Sequence, residues 1–214
     1  MAHEYAHGAA ALRQGDQTAY MLGRLTFNPL VHIDPWLSVL MPGLLWFASG
    51  GRFTFGGAKP IPVNPRNYRQ FKRGDIIVSS AGVVTNFVLS FVFAGLFVAL
   101  GLAWRALPGL EGALDVAQRM MIWGIRLNLM LCFFNLIPLP PLDGSHLFYY
   151  LLPPDLGLRY RGLQRFGFLP LMGLMVLFPS AVSLLLTPAW VVLRVLLRMI
   201  LPYAVGQGWD IFST

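Results

Sequence analysis

Residues 76–104 read IIVSSAGVVTNFVLSFVFAGLFVALGLAW and contain no charged side chain. A helix of about 20 apolar residues crosses a bilayer, so this stretch is long enough to form a membrane span. Residues 166–193 are a second uncharged run, and residues 120–142 are a third run that carries only Arg126. Of all 214 residues, 56% are hydrophobic and 12% are charged, whereas roughly a quarter are charged in soluble domains. The sequence therefore predicts an integral membrane protein.

The net charge of +7 is carried by short segments between the apolar runs. Residues 52–73 hold six basic side chains and residues 159–165 hold three, whereas residues 105–119 balance two arginines against two acids. Because cytoplasmic loops of membrane proteins are enriched in Lys and Arg, we place the two basic loops in the cytoplasm and residues 105–119 outside. This distribution argues against a nucleic-acid partner. It indicates a multi-pass protein of the cell membrane, with the lipid bilayer as its surroundings.

One motif in this apolar chain carries clear chemistry, His3-Glu4-Tyr5-Ala6-His7. Positions i and i+4 of a helix lie on one face, so the two imidazoles can bind one Zn²⁺ through their ring nitrogens. Glu4 then lies next to the metal and can take a proton from water. An exposed polar helix without a metal is the alternative. It is weakened because the chain has only four His and two Glu, and three of these six residues fall into the motif.

A catalytic zinc needs a third protein ligand and an open position for water. Asp143 is the best candidate, since it follows the proline-rich stretch NLIPLPPL at the end of an apolar run. Ionisable groups at membrane depth are costly and usually functional, and prolines break the helix and redirect the side chains that follow. The alternative is that Asp143 caps a helix that begins near Gly144.

The pairing of His3–His7 with Leu142-Asp143-Gly144 resembles the site-2 protease family of intramembrane zinc metalloproteases. Four further stretches are similar to a compact, bacterial-type branch without a PDZ module: Gly8, residues 28–35, residues 57–65 and residues 81–86. The resemblance covers residues 3 to about 150. It implies His3, His7 and Asp143 as ligands of one zinc per chain, and Glu4 as the catalytic residue. It also implies a zinc metalloendopeptidase that hydrolyses peptide bonds in or near transmembrane segments of other membrane proteins.

The sequence departs from the family pattern at its start, where only Met1 and Ala2 precede His3. The family's motif lies within a transmembrane helix, and a spanning helix needs about 20 residues. We therefore expect the first transmembrane helix to be truncated at its N-terminus in this sequence. Val83 is a milder departure, since the family pattern has a proline there.

The expected fold is all-α and polytopic, a transmembrane helical bundle with a short re-entrant or β-hairpin segment near the active site. Residues 1–205 are expected to form a single integral membrane metalloprotease domain, followed by a short tail at 206–214. Residues 37–48 are apolar but too short to span and have basic flanks, so they are expected to be re-entrant or interfacial. A short true span with shifted topology is the alternative.

Local signals add detail to this expectation. Gly15 is expected to end a helix over residues 1–14, and residues 17–35 are expected to be irregular or strand-like. Pro42-Gly43 is expected to interrupt the apolar segment that contains it, and residues 53–55 (FTF) indicate a short strand. The tail over residues 166–203 is long enough for two helices, with Pro179 and Pro188 as the expected breaks.

Several polar residues in or near the apolar runs are further candidates for the site. Asn86 and Asn135 are candidates for contacts to the substrate or the tetrahedral intermediate, with an interhelical hydrogen bond as the alternative role. His32 is a candidate contact or alternative ligand, and a loop histidine satisfied by its surroundings is the competing interpretation. His146 follows Asp143 by three residues and would approach the metal if a helix continues there.

Two other functions compete with a protease. A catalytically inactive zinc-binding membrane scaffold would keep the ligands, but the intact Glu4 argues against it. A metal transporter would line its other spans with polar groups, and residues 76–104 and 166–193 offer little beyond Ser, Thr and one Asn.

Overall fold

The computed structural model of the chain describes residues 1–48, 50–51, 54, 56–206 and 209. These residues form helices joined by turns and loops, and no strand occurs among them. The chain divides into two compact units, Met1–Gly82 and Val83–Thr214. The all-helical class is therefore confirmed for the described residues. The single domain over residues 1–205 stays a prediction.

The first helix of the first unit, α1, carries the HExxH motif. It covers Ala2–Gln14 and ends at Gly15, whose φ of 111° favours glycine. The Gly15 N–H donates to the carbonyl of Leu12 at 3.1 Å, which closes the helix and confirms the predicted stop. The small residues Ala10 and Ala11 of α1 pack with Tyr68 and Val78 in a buried cluster.

Residues 17–35 are irregular, as expected, but contain helical turns rather than strand-like structure. The short helix α2 covers Thr18–Met21, and a 3₁₀ turn covers Pro29–His32. The Asn28 side chain accepts a hydrogen bond from the Leu30 N–H at 3.1 Å. Because an Asn cap and a following Pro both favour the start of a helix, this sequence turns instead of extending.

Residues 35–48 form one helical stretch. It begins with a wider π-helical turn at Pro35–Leu40 and continues as α3, Met41–Ala48. The expected interruption at Pro42-Gly43 is wrong, because Pro42 lies in the first turn of α3, where a missing N–H is tolerated. The strand expected at residues 53–55 lies outside the described residues except for Thr54, which belongs to no helix or strand.

The longest helix, α4, covers Phe71–Ala106 and contains 36 residues. It includes the whole uncharged run that predicts a membrane span, and the division between the two units falls within it. Its start belongs to the first unit, where Ile77 and Ala81 pack against the same buried cluster as α1. This packing places the start of α4 beside the HExxH motif.

The second unit has its core between the later part of α4 and two other long helices, α5 (Glu111–Asn135) and α9 (Pro179–Ile200). The buried core residues are Ala94, Phe97, Ile122, Ile125, Leu129, Leu193, Leu196, Leu197 and Ile200. Three shorter helices lie between α5 and α9 in the chain: α6 (Asp143–Tyr149), α7 (Pro154–Arg161) and α8 (Leu169–Leu177).

The bounds of the helices in the second unit bear on three expectations. Residues 105–119 are mostly helical, so the expected outer loop is reduced to a short turn around Pro108–Leu110. The third apolar run is helical up to Asn135, where α5 ends, and the prolines that follow break the helix as expected, since they cannot donate helix hydrogen bonds.

The third expectation concerns the two breaks in the tail. The break at Pro179 is confirmed, since α9 begins there, whereas Pro188 lies inside α9 and does not end it. Pro188 leaves the carbonyl of Leu184 without its usual N–H donor, but the helix continues to Ile200.

Among the described residues, two helical stretches are long and apolar enough to cross a membrane, Phe71–Ala106 and Pro179–Tyr203. The first contains the predicted span over residues 76–104, and the second overlaps only the later part of the uncharged run over residues 166–193. A larger number of spans stays a prediction, as does the sidedness of the loops.

Candidate metal centre

The HExxH motif occupies the first turns of α1, and its spacing places both imidazoles on one face of the helix. The two Nε2 atoms of His3 and His7 lie 3.0 Å apart. Two nitrogen ligands in a tetrahedral zinc site, each 2.0–2.1 Å from the metal, lie about 3.3 Å apart. The separation of the two imidazole nitrogens therefore fits a shared zinc ion.

His7 is held in the tautomer that metal binding requires. Its Nδ1 lies 2.7 Å from the backbone carbonyl oxygen of Val78, at the start of α4. A carbonyl only accepts, so Nδ1 carries the proton and donates it, which leaves the lone pair on Nε2. A backbone carbonyl behind a ligating histidine is a common support for metal sites. His7 is 8% exposed, so its ring is also fixed by packing.

Gly82 provides the space in which the imidazoles lie. A Cβ atom added at Gly82 would overlap Nε2 of His7 and would lie 2.6 Å from Nδ1 of His3. Gly82 comes one helical turn after Val78, so the same face of α4 supplies both the carbonyl and the gap. The sequence drew attention to residues 81–86 only through the family resemblance, and the role of Gly82 appears in the contacts alone.

Glu4 is oriented by a backbone amide from a distant part of the chain. The Ile61 N–H donates to Oε2 of Glu4 at 3.0 Å. Ile61 belongs to a segment, residues 57–64, which we call the strap, and which has neither helix nor strand. Sequence analysis missed this contact, and the signal that marked the region was again the resemblance over residues 57–65.

The strap is fixed at both ends by side chains of the first unit. Near its start, Nη2 of Arg24 donates to the carbonyl of Lys59 at 3.1 Å. At its end, the Asn64 N–H donates to Oδ2 of Asp16 at 2.7 Å. Asp16 is fully buried and follows the glycine that ends α1. The strap is thereby tied to the helix that carries Glu4.

Asp16 has an unusual environment for a buried acid. Burial by itself would raise the pKa of the carboxyl, but hydrogen bonds from Asn64, Thr18 and Asn67 together lower the pKa below its ordinary value. The carboxylate is therefore held ionised in the folded protein.

Asp143 lies in the second unit, as the first residue of α6. The residue before it, Leu142, occupies the capping position, and no side chain caps the helix. The alternative in which Asp143 serves as the helix cap is therefore wrong. The turn before α6 is tight, since a Cβ atom at Gly144 would overlap the carbonyl oxygen of Leu136. Its role as third ligand stays a prediction.

The remaining candidates are distributed over both units. His32 is buried, and its Nε2 lies 2.8 Å from the carbonyl of Thr26, while its Nδ1 is buried without a hydrogen-bond partner among the described residues. Asn135 ends α5 and donates to the carbonyl of Leu131 at 2.9 Å. Asn86 is buried on α4, and His146 lies on α6. Roles for these residues in contacts to the substrate or the metal stay predictions.

Two curated proteins are similar to the chain over most of its length. A protein of Bacillus subtilis (strain 168) named "Putative zinc metalloprotease YwhC" is 38% identical over 175 residues, which are 81% of this chain and 74% of that protein. A protein of Mycolicibacterium smegmatis named "Putative zinc metalloprotease Rip2" is 32% identical over 191 residues, which are 87% of this chain and 63% of that protein.

The other two comparisons gave no match. No family model matches the sequence, and no solved structure matches significantly. The similarity to the two relatives nevertheless extends far beyond a five-residue motif. The chain belongs to the site-2 protease family of zinc metalloproteases.

Proposed function

We propose that the protein is a zinc metalloendopeptidase that hydrolyses peptide bonds in or near transmembrane segments of other membrane proteins. The observation that carries this proposal is the imidazole pair of α1, with Nε2 atoms 3.0 Å apart beside an oriented Glu4. The names of both relatives support the zinc and the protease chemistry.

We assign His3, His7 and Asp143 as the ligands of one zinc ion per chain. His7 would bind through Nε2, since its Nδ1 proton is engaged by Val78, and His3 would bind through its Nε2, which lies 3.0 Å from that atom. Asp143 is supported by its place in the LDG stretch. Two imidazoles and one carboxylate are a ligand set of catalytic zinc sites and leave a fourth position open.

The residues of the chain divide the hydrolytic work in a simple way. When bound, zinc acts as a Lewis acid that makes water a stronger nucleophile and polarises the scissile carbonyl. Glu4 is anchored through Oε2, so Oε1 is the atom that accepts the proton of the attacking water and later donates it to the leaving amine nitrogen. A substrate helix hides its carbonyls in its own hydrogen bonds, so it must unwind locally before attack.

The surface of the long helices supports a location in the membrane. In the second unit, α4 exposes large apolar side chains along its length, including Val84, Val88 and Phe91. Such a continuous apolar surface is unfavourable in water and is expected against lipid. We therefore place the protein in the cell membrane, in a bacterium the plasma membrane, as a multi-pass protein with its basic loops in the cytoplasm.

The test uses purified protein in liposomes together with several single-span membrane proteins as substrates. Wild type and Glu4→Gln are compared for bound zinc and for cleavage. The proposal expects similar zinc in both proteins and cleavage by wild type alone, because glutamine cannot accept the proton. If both proteins bind zinc and neither cleaves any substrate, the inactive scaffold becomes the better account.

A further inference from the structure

The strap holds one peptide group between two charged side chains. The Pro60–Ile61 peptide offers its N–H to Oε2 of Glu4 at 3.0 Å. Its carbonyl, on Pro60, lies 3.5 Å from Nη2 of Arg24, which also donates to the Lys59 carbonyl at 3.1 Å. A trans peptide is planar, and its N–H and C=O point in opposite directions. Arg24 therefore holds the far side of the peptide group that orients Glu4.

We propose that Arg24 is a positioning residue for Glu4, and that it acts through the Ile61 N–H. The inference rests on the proposed function, since Glu4 is there the group that transfers the proton. Arg24 is 9% exposed, so its guanidinium is enclosed and its hydrogen bonds to the carbonyls are strengthened by the charge.

The rest of the strap makes this positioning rigid. Pro60 and Pro62 flank Ile61, and proline rings fix φ near −65°. The Ile61 side chain is 7% exposed, and a Cβ atom added at Gly8 would lie 2.5 Å from its Cδ1. Gly8 follows Glu4 by one helical turn, so Ile61 contacts one face of α1 with both its side chain and its N–H. Arg24 completes the fixation from the opposite side.

The chemical consequence concerns the orientation of a carboxylate. With Oε2 held by Ile61, Oε1 faces the reacting water in a fixed direction. If the peptide is released, Glu4 rotates among its rotamers and spends less time aligned. Well-placed general bases contribute about 10²- to 10⁴-fold to rate. We expect loss of Arg24 to remove part of this contribution and to leave zinc binding and KM unchanged.

The sequence offers an unusually specific probe of the contact. Because Pro60 and Pro62 have no N–H, Ile61 carries the only backbone amide between Lys59 and Val63. Hydrogen exchange of this single amide can therefore be followed in the full chain without substrate. The variants are Arg24→Gln, Arg24→Lys, Glu4→Ala and, as a matched control, Arg13→Gln, which changes an exposed arginine of α1.

We expect the Ile61 amide to exchange about tenfold faster in Arg24→Gln and in Glu4→Ala, since each variant lacks one of the two side chains that hold the Pro60–Ile61 peptide. The Val205 amide, which donates to Gln118 in the second unit at 2.8 Å, should keep its rate. In the cleavage assay, kcat of Arg24→Gln should fall about tenfold with KM unchanged. Arg24→Lys should restore most of both effects, and Arg13→Gln should match wild type.

Unchanged Ile61 exchange in Arg24→Gln would overturn the positioning role, as would an equal rise at Val205, which would report a general loss of structure. A rise in KM with normal kcat would also overturn it. The exchange measurement does not depend on catalysis. A wild type that cleaves nothing would therefore contradict the proposed function, while the role of Arg24 would still be decided at Ile61.

Discussion

Gly82 shows, at the scale of single residues, that a missing side chain can be essential to a site. It lies on α4 where a Cβ atom would overlap the imidazole nitrogen of His7 and press on the ring of His3. The ring of His7 cannot retreat easily, because the Val78 carbonyl holds it from behind. The geometry of the metal site therefore depends on glycine at this position.

Gly82→Ala is expected to weaken zinc affinity at least tenfold, roughly the effect of removing a supporting contact of a metal ligand. Gly95→Ala is the matched control, since it lies on the same helix and a Cβ atom there would meet nothing within 4 Å. Zinc titration of both variants in detergent is the measurement. Equal affinities in the two variants would contradict this account of the site.

Asp16 is expected to make the first unit sensitive to acid. Its folded pKa is lower than its unfolded pKa, so its ionised form stabilises the fold at neutral pH. This stabilisation is present above the unfolded value of about 3.9 and is lost as the pH falls through the folded pKa. Asp16→Asn should cost about 1–3 kcal/mol of unfolding free energy at pH 7, because a buried acceptor of several hydrogen bonds is replaced.

The measurement is thermal unfolding in detergent for wild type and Asp16→Asn between pH 7 and pH 3. The difference between the two proteins should shrink as the pH falls. Asp155→Asn, which changes an exposed acid on α7, should stay close to wild type throughout. A difference that is independent of pH would show that the charge of Asp16 does not contribute.

At the scale of elements, the connection between α5 and α6 determines where Asp143 lies. α5 ends at Asn135, and the chain turns back so closely that a Cβ atom at Gly144 would overlap the Leu136 carbonyl oxygen and lie 2.8 Å from that of Ile137. Both neighbours are backbone atoms, which cannot rotate away as a side chain can.

Gly144→Ala is therefore expected to destabilise the protein by about 1–3 kcal/mol, the usual cost of forcing extra volume into a packed site. Gly173→Ala on α8 serves as the control, because a Cβ atom there meets nothing within 4 Å. Thermal unfolding of the two variants in the same detergent decides the matter. A Gly144→Ala protein as stable as Gly173→Ala would show that the turn has room to adjust.

The success of sequence analysis also depends on the scale of the contacts involved. The α1 motif and its stop at Gly15 follow from spacing within one helix, so both could be predicted. The contact between Ile61 and Glu4 joins residues 57 positions apart, and no periodicity indicates which amide will meet which carboxylate. The expected break at Pro188 failed because tertiary packing can keep a helix continuous across a proline, and later residues of α9 such as Leu193 and Leu197 are buried in the core.

At the scale of the whole molecule, composition and helices support the same interpretation. The chain has few charges, and two of its described helices have the length and apolar character of membrane spans. The HExxH motif, the imidazole pair and the similarity to named zinc metalloproteases add the chemistry. The proposed function combines these observations into hydrolysis at a zinc centre within the membrane.

The most direct test of this account is zinc X-ray absorption on the purified protein, combined with metal analysis. We expect one zinc per chain, with two imidazole nitrogens at about 2.0–2.1 Å and oxygen in the remaining positions. Asp143→Asn should alter the oxygen contribution and weaken retention of the metal, while Asp155→Asn should leave the spectrum unchanged. A chain that retains no zinc, or one whose zinc spectrum is unaffected by loss of His3 and His7, would contradict the account.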